Sequence, residues 1–127
     1  MCVITALGCL SGELRRVAER HLGLIADQRY NFAGAADLER FIRGAGFANV
    51  RLKTISHKVH FDDGGHYVRL NSVAFVGLSA AGKQMDEQQR RQAVDAIVTD
   101  SAAVMRSHST GSTVDFDVSM NVAMGRR

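Results

Sequence analysis

From Thr113 to Met124 apolar and polar residues alternate with few interruptions: Val114, Phe116, Val118, Met120, Val122 and Met124 in one set, Asp115, Asp117, Ser119 and Asn121 in the other. A period of two puts each set on its own face of an extended chain, so the segment reads as a strand with one buried and one solvated side. Such a strand needs a neighbour, because its backbone N–H and C=O groups must find partners. The other segment of comparable length is Asn49 to Phe61, rich in β-branched residues. Its phase changes midway: Val50, Leu52 and Thr54 share one face and Ile55, His57, Val59 and Phe61 the other, which predicts a bulge or bend near Thr54. Two strands alone are marginal in water and leave a long unpaired edge. Either further sheet is supplied from Cys2 to Leu10, or a second chain completes it.

Helical periodicity fills the remainder. Leu14, Val17, Ala18, His21, Leu22 and Ile25 predict a helix from about Ser11, which can cap it, to Asp27, with Gly23 weakening the last turn. Leu38, Phe41 and Ile42 mark a second from about Ala35 to Ala45, ended by Gly44 or Gly46, with Phe47 folding back as an apolar clasp. Asp62 to Gly65 is a turn, and Tyr67, Leu70, Val73, Ala74 and Gly77 mark a third helix from His66. Ser79 to Lys83 reads as a loop before the longest helix, Asp86 to His108, with Ala93, Val94, Ile97, Val98, Ala102 and Met105 as its buried stripe. No stretch is biased enough to be a linker, so residues 1–127 are expected to form a single α/β domain, an antiparallel strand pair with packed helices.

Charge and motifs exclude several functions. Lys plus Arg exceed Asp plus Glu by 16 to 13, a spread too thin to demand nucleic acid or an anionic membrane, and aromatics interleaved for base stacking are missing. Arg15, Arg16, Arg20, Arg90 and Arg91 read as solvated helix faces. Cys2 and Cys9 sit too close in sequence to staple distant parts, and the apolar start is shorter than the roughly 20 residues of a membrane span, so a cytoplasmic setting is expected. No glycine-rich phosphate loop and no nucleophile elbow is present. His57, His60 and His66 with Asp62 and Asp63 have the composition of a metal site, but His57 and His60, three apart on one strand, point to opposite faces. They read as solvated or pocket-lining histidines, with no metal site and no catalytic residue assigned.

The order of elements resembles the late part of class I S-adenosylmethionine-dependent methyltransferases of the small-molecule type. The resemblance runs from Arg20-His21-Leu22-Gly23 through Phe32 and the segment Ala36 to Leu52, where Ala45-Gly46-Phe47 leads from a helix into Val50-Arg51-Leu52. It continues through Val59-His60-Phe61 and the helix near His66-Tyr67-Val68, then the long helix from Asp86 and a final strand ending Val122 to Arg127. It implies the C-terminal part of a Rossmann-like methyltransferase fold, with a terminal antiparallel strand and helices over a substrate pocket. His57, His60, Tyr67, Arg69 and Asn71 lie where that lid would face an acceptor. The cofactor half, with its glycine-rich loop and acidic ribose ligand, has no counterpart here. Methyl transfer depends on holding the sulfonium in line with its acceptor, so the resemblance implies a fragment inactive alone that does not bind S-adenosylmethionine by itself. Its partner would be a missing cofactor-binding half or a second copy joined through sheet edges. The reading from another class is a non-catalytic self-associating or small-ligand-binding module.

Overall fold

The structure, a computed structural model, describes residues 2–26 and 34–127. Along the chain run β1 (Cys2–Gly8), α1 (Cys9–Leu22), α2 (Ala35–Gly44), β2 (Ala48–Phe61), α3 (Gly64–Leu78), α4 (Ala80–Lys83), α5 (Glu87–Asp100), α6 (Ala102–His108), β3 (Ser109–Thr110) and β4 (Thr113–Arg126). The strand order is β1-β4-β2, and the short β3 also pairs with β4. β1 is antiparallel to β4 from Cys2↔Met124 to Gly8↔Val118. Side-chain pairs Thr54–Asn121 and Ser56–Ser119 run in opposite directions along β2 and β4, which makes that pairing antiparallel too. The sheet expected from Cys2 onward is therefore present within the chain, and the result is a mixed α/β fold with an antiparallel sheet and packed helices. Asp27 and the Tyr30–Phe32 segment lie outside the described residues, as do the side chains of Cys2 and Cys9. Residue contacts group the elements into two compact units.

The first unit comprises β1, α2, residues 48–58 of β2 and 117–127 with β4. Its core is Leu38, Ile42 and Ala123, with Phe47, Val50 and Leu52 packed around them. Burying a side chain the size of Leu38 or Ile42 is worth about 1.5–3 kcal/mol. α2 ends as the sequence predicts: Gly46 is left-handed at φ 90°, Gly46 N–H donates to the Arg43 carbonyl at 3.0 Å, and Phe47 N–H donates to the Ile42 carbonyl at 3.4 Å. These two bonds occupy carbonyls the helix end would leave open and turn Phe47 back onto the core. A Cβ at Gly125 would stand 3.0 Å from both Ile42 Cγ2 and Phe47 Cβ, so glycine there lets α2 and its clasp lie close on β4.

Two strand expectations are corrected in this unit. Thr54 Oγ1 donates to Asn121 Oδ1 at 2.8 Å and Ser56 pairs with Ser119 at 2.9 Å, each step being two residues on both strands, so no bulge interrupts Thr54 to Ser56. In β4, Asn121, Ala123 and Gly125 are buried while Met124 is 55% exposed and Val118, Met120 and Val122 are half-buried. α2 covers the face carrying Ala123, not the continuous apolar row. The phase of burial is set by which face a helix covers, and the alternation of residue types follows it only in part.

The second unit comprises α1, residues 23–26, residues 59–61 of β2, α3 to α6, β3 and residues 113–116 of β4. Leu10, Leu14, Ala18 and Leu22 of α1 pack with Tyr67, Val68, Phe75 and Val76 of α3, Val94 and Ile97 of α5, Met105 and Val114. α1 begins at Cys9 and stops at Leu22, where Gly23 turns left-handed at φ 75°. Ser11 therefore lies inside the helix instead of capping it, and its hydroxyl meets the Tyr67 hydroxyl at 3.3 Å. α3 starts at Gly64, two residues before the expected His66, because Asp63 Oδ1 accepts the His66 N–H at 3.0 Å and caps it. Its three β-branched residues, Val68, Val73 and Val76, disfavour helix by tenths of a kcal/mol each, a deficit outweighed by the burial of Tyr67, Val68, Phe75 and Val76.

The expected loop from Ser79 to Lys83 forms the single-turn helix α4. Ser79 Oγ accepts Gly82 N–H at 2.8 Å and donates to the Val76 carbonyl at 2.9 Å. The expected long helix is interrupted only at Ser101. α5 starts with a capping box, Asp86 accepting from Gln89 N–H and Gln89 from Asp86 N–H. Ser101 N–H still donates to Ile97 at 2.9 Å and Met105 N–H to Ser101 at 2.9 Å, so α6 continues the run through a one-residue break.

Candidate functional site

His60, at the end of β2, is held between two carboxylates. Its Nδ1 lies 2.6 Å from Asp115 Oδ1 and its Nε2 lies 3.0 Å from Asp62 Oδ1. The hydrogen bond to Asp115 first, then that to Asp62, raises its pKa above 6.5, because both ring nitrogens face acceptors that favour the doubly protonated ring. The side chain is 53% exposed, so water screens the pairing. An imidazolium with both N–H groups engaged has no lone pair left for a substrate proton, and the chemistry open to it is anchoring and charge, not general-base work. Because the carboxylates sit on opposite ring nitrogens, the three groups do not converge on one point. Among the described residues no group of three His, Cys, Asp or Glu side chains is arranged to hold a metal ion.

The remaining residues of the expected pocket are spread out. His57 belongs to the first unit and is exposed. Tyr67 is buried at 7% exposure, its ring 4.8 Å from Phe61 and 5.1 Å from Phe116 by centroids, as part of the core under α3. Arg69 is exposed and donates to Asp95 Oδ1 at 2.8 Å. Asn71 Nδ2 donates to the Tyr67 carbonyl at 2.9 Å, a bond within α3. On a helix, Arg69 falls about 200° around the axis from both Tyr67 and Asn71, so consecutive odd positions cannot share one surface.

Two further histidine–carboxylate pairs join distant elements. His21 Nε2 lies 2.6 Å from Asp100 Oδ2, joining α1 to the end of α5, and His108 Nε2 lies 3.0 Å from Glu13 Oε2, joining α6 to α1. No local spacing announces partners 79 and 95 residues apart. The second pair borders a groove of about 630 Å³ lined by Glu13, Arg16, Val17, Arg20, Val104 and Ser107. Arg16 and Arg20, four apart on α1, face this groove instead of lying on a featureless solvated surface. Among the described residues no helix is long and apolar enough to cross a membrane. Compared with protein-family models and with curated proteins, the sequence matches none.

Proposed function

We propose that the chain is a non-catalytic module that associates with a second copy through its sheet edge, β1 against β1. The observation that carries this is the strand order: β1 and β2 are the two ends of the row, each with β4 as its neighbour. The two edges differ in chemistry. β2 carries Arg51, Lys53 and Lys58, and a twofold antiparallel pairing about its middle sets Arg51 against Lys58, a like-charge pair that disfavours the contact. β1 reads CVITALG, with no charge and four β-branched or long apolar residues, and nothing in it resists pairing. Light scattering over a wide concentration range tests it: a dimer of twice 13.8 kDa is expected, with β1 amides slow to exchange. A folded monomer at every concentration would overturn it.

A second reading, the C-terminal substrate-lid and sheet portion of a class I S-adenosylmethionine-dependent methyltransferase, is favoured by β4. It is the last strand, antiparallel to its neighbours and lying between them, as the terminal antiparallel strand of that resemblance would be. On this reading the chain is inactive alone and its partner is a cofactor-binding half. Calorimetric titration with S-adenosylmethionine is the test. No heat of binding is expected from the chain alone, and tight binding would refute the fragment reading.

A further inference from the structure

We propose that Asn49, Arg51 and Arg126 form a binding site for a phosphate group, at the end of the first unit where β2 begins and β4 finishes. These three residues and Met124 line a hollow of about 260 Å³. No carboxylate lines it. Elsewhere in the same unit Arg40 pairs with Asp37 at 3.2 Å and Arg43 with Glu39 at 2.8 Å, and the Arg127 guanidinium lies over the Phe47 ring, 5.0 Å from its centroid. Among the described residues neither Arg51 nor Arg126 has an ion-pair partner. Two guanidinium groups around one space repel each other, and an anion between them relieves that repulsion.

The donor set selects the kind of anion. Each guanidinium offers a planar fork of N–H groups that matches paired oxygens, and the Asn49 amide adds a neutral donor. A phosphate monoester, with three terminal oxygens and a charge near −2, can occupy both forks at once, whereas a carboxylate has two oxygens and satisfies one. The hollow lies just below the roughly 300–1,000 Å³ of drug-sized pockets, a size for the phosphoryl group with its substituent outside, along the exposed Met124. Asn49 is also the one non-glycine residue with positive φ among the described residues, at 51°. A left-handed residue one step into a strand is a cost of about 1 kcal/mol that asparagine tolerates better than most, and it falls at the lining of this hollow. The proposal does not rest on either reading above.

The test is titration of the full chain with inorganic phosphate, followed by amide NMR and calorimetry. Saturable binding is expected, with the largest shift changes at residues 49–51 and 124–126, and with Arg51→Gln and Arg126→Gln each weakening it about 10-fold or more, the scale of a lost charge-assisted hydrogen bond. Both side chains are exposed, so unchanged melting curves check that the variants remain folded. The double variant Arg16→Gln/Arg20→Gln, in the other unit's groove, is expected to bind as the parent does. Acetate should compete at least 10-fold less well than phosphate. Co-sedimentation with vesicles containing phosphatidic acid, abolished by Arg51→Gln, would assign the phosphate to a lipid headgroup; saturable phosphate binding without co-sedimentation would assign it to a soluble ester. Non-saturating titration, binding indifferent to both substitutions, or shifts centred on the α1–α6 groove would overturn the proposal.

Discussion

Replacing Gly82 with alanine should unfold the second unit's most tightly closed turn. A Cβ at Gly82 would stand 1.8 Å from the Val76 carbonyl oxygen and 2.7 Å from Ser79 Oγ, both far inside contact distance. Neither atom can yield cheaply. Val76 O accepts the Ser79 hydroxyl, and Ser79 Oγ accepts Gly82 N–H, so making room separates two buried hydrogen bonds at once. Leaving such groups unsatisfied costs about 1–3 kcal/mol each, and overpacking adds about 1–3 kcal/mol. The lower bounds alone give a loss of about 3 kcal/mol or more, against a total stability of roughly 6–19 kcal/mol for a chain of this length. At about 3–5 °C per kcal/mol, Tm should fall by about 10 °C or more, read from the helical circular dichroism signal. Gly77→Ala is the internal control. Nothing lies within 4 Å of its added Cβ, inside α3, so alanine should stabilise by about 0.5–1 kcal/mol through helix propensity alone. If Gly82→Ala melts within about 2 °C of the parent, the packing argument at this turn fails.

Ile42→Ala removes a fully buried side chain that Gly125 allows to sit close on β4, and a loss of about 2–5 kcal/mol is expected in denaturant unfolding. Asp63→Ala deletes the cap of α3 and should cost about 1 kcal/mol, with the His66 amide losing hydrogen-exchange protection. Because the folded pKa of His60 is raised above 6.5, its carboxylate contacts stabilise fully below pH 6.5 and the contribution is lost as pH rises through the folded value. The parent should therefore exceed His60→Gln in denaturant midpoint at about pH 5.5 and lose that advantage at about pH 8.5; an NMR titration placing His60 at or below 6.5 would contradict the geometry.

Local chemistry was readable from sequence wherever the deciding partner lies within a few residues. Gly46 and Phe47 close α2 as their types demand, and the two long strand patterns occupy β2 and β4. The failures have long-range causes. Asn121 reads as solvated because it alternates with Val122, yet it is 2% exposed, since coverage by α2 selects its face. Ser79 looks like a loop residue until its hydroxyl bridges Val76 and Gly82 into a helical turn. Ser101 breaks an apolar stripe that sequence reads as continuous, and its buried hydroxyl finds no hydrogen-bond partner among the described residues. The site was legible in composition only. The sequence puts Asp62 two residues from His60, but Asp115, 55 residues away, supplies the shorter contact.

The position of β4 has a consequence for how the chain is made. The first and second strands emerge from the ribosome with their hydrogen-bonding partner still unsynthesised, since every ladder of the sheet runs through residues from Thr113 onward. With roughly 100 residues separating Gly8 from Thr113 and translation at about 5–20 residues per second, β1 waits for about 5–20 s. During that interval an uncharged, apolar extended segment is open to any passing chain, and a nascent-chain chaperone that shields it should raise the yield of folded protein.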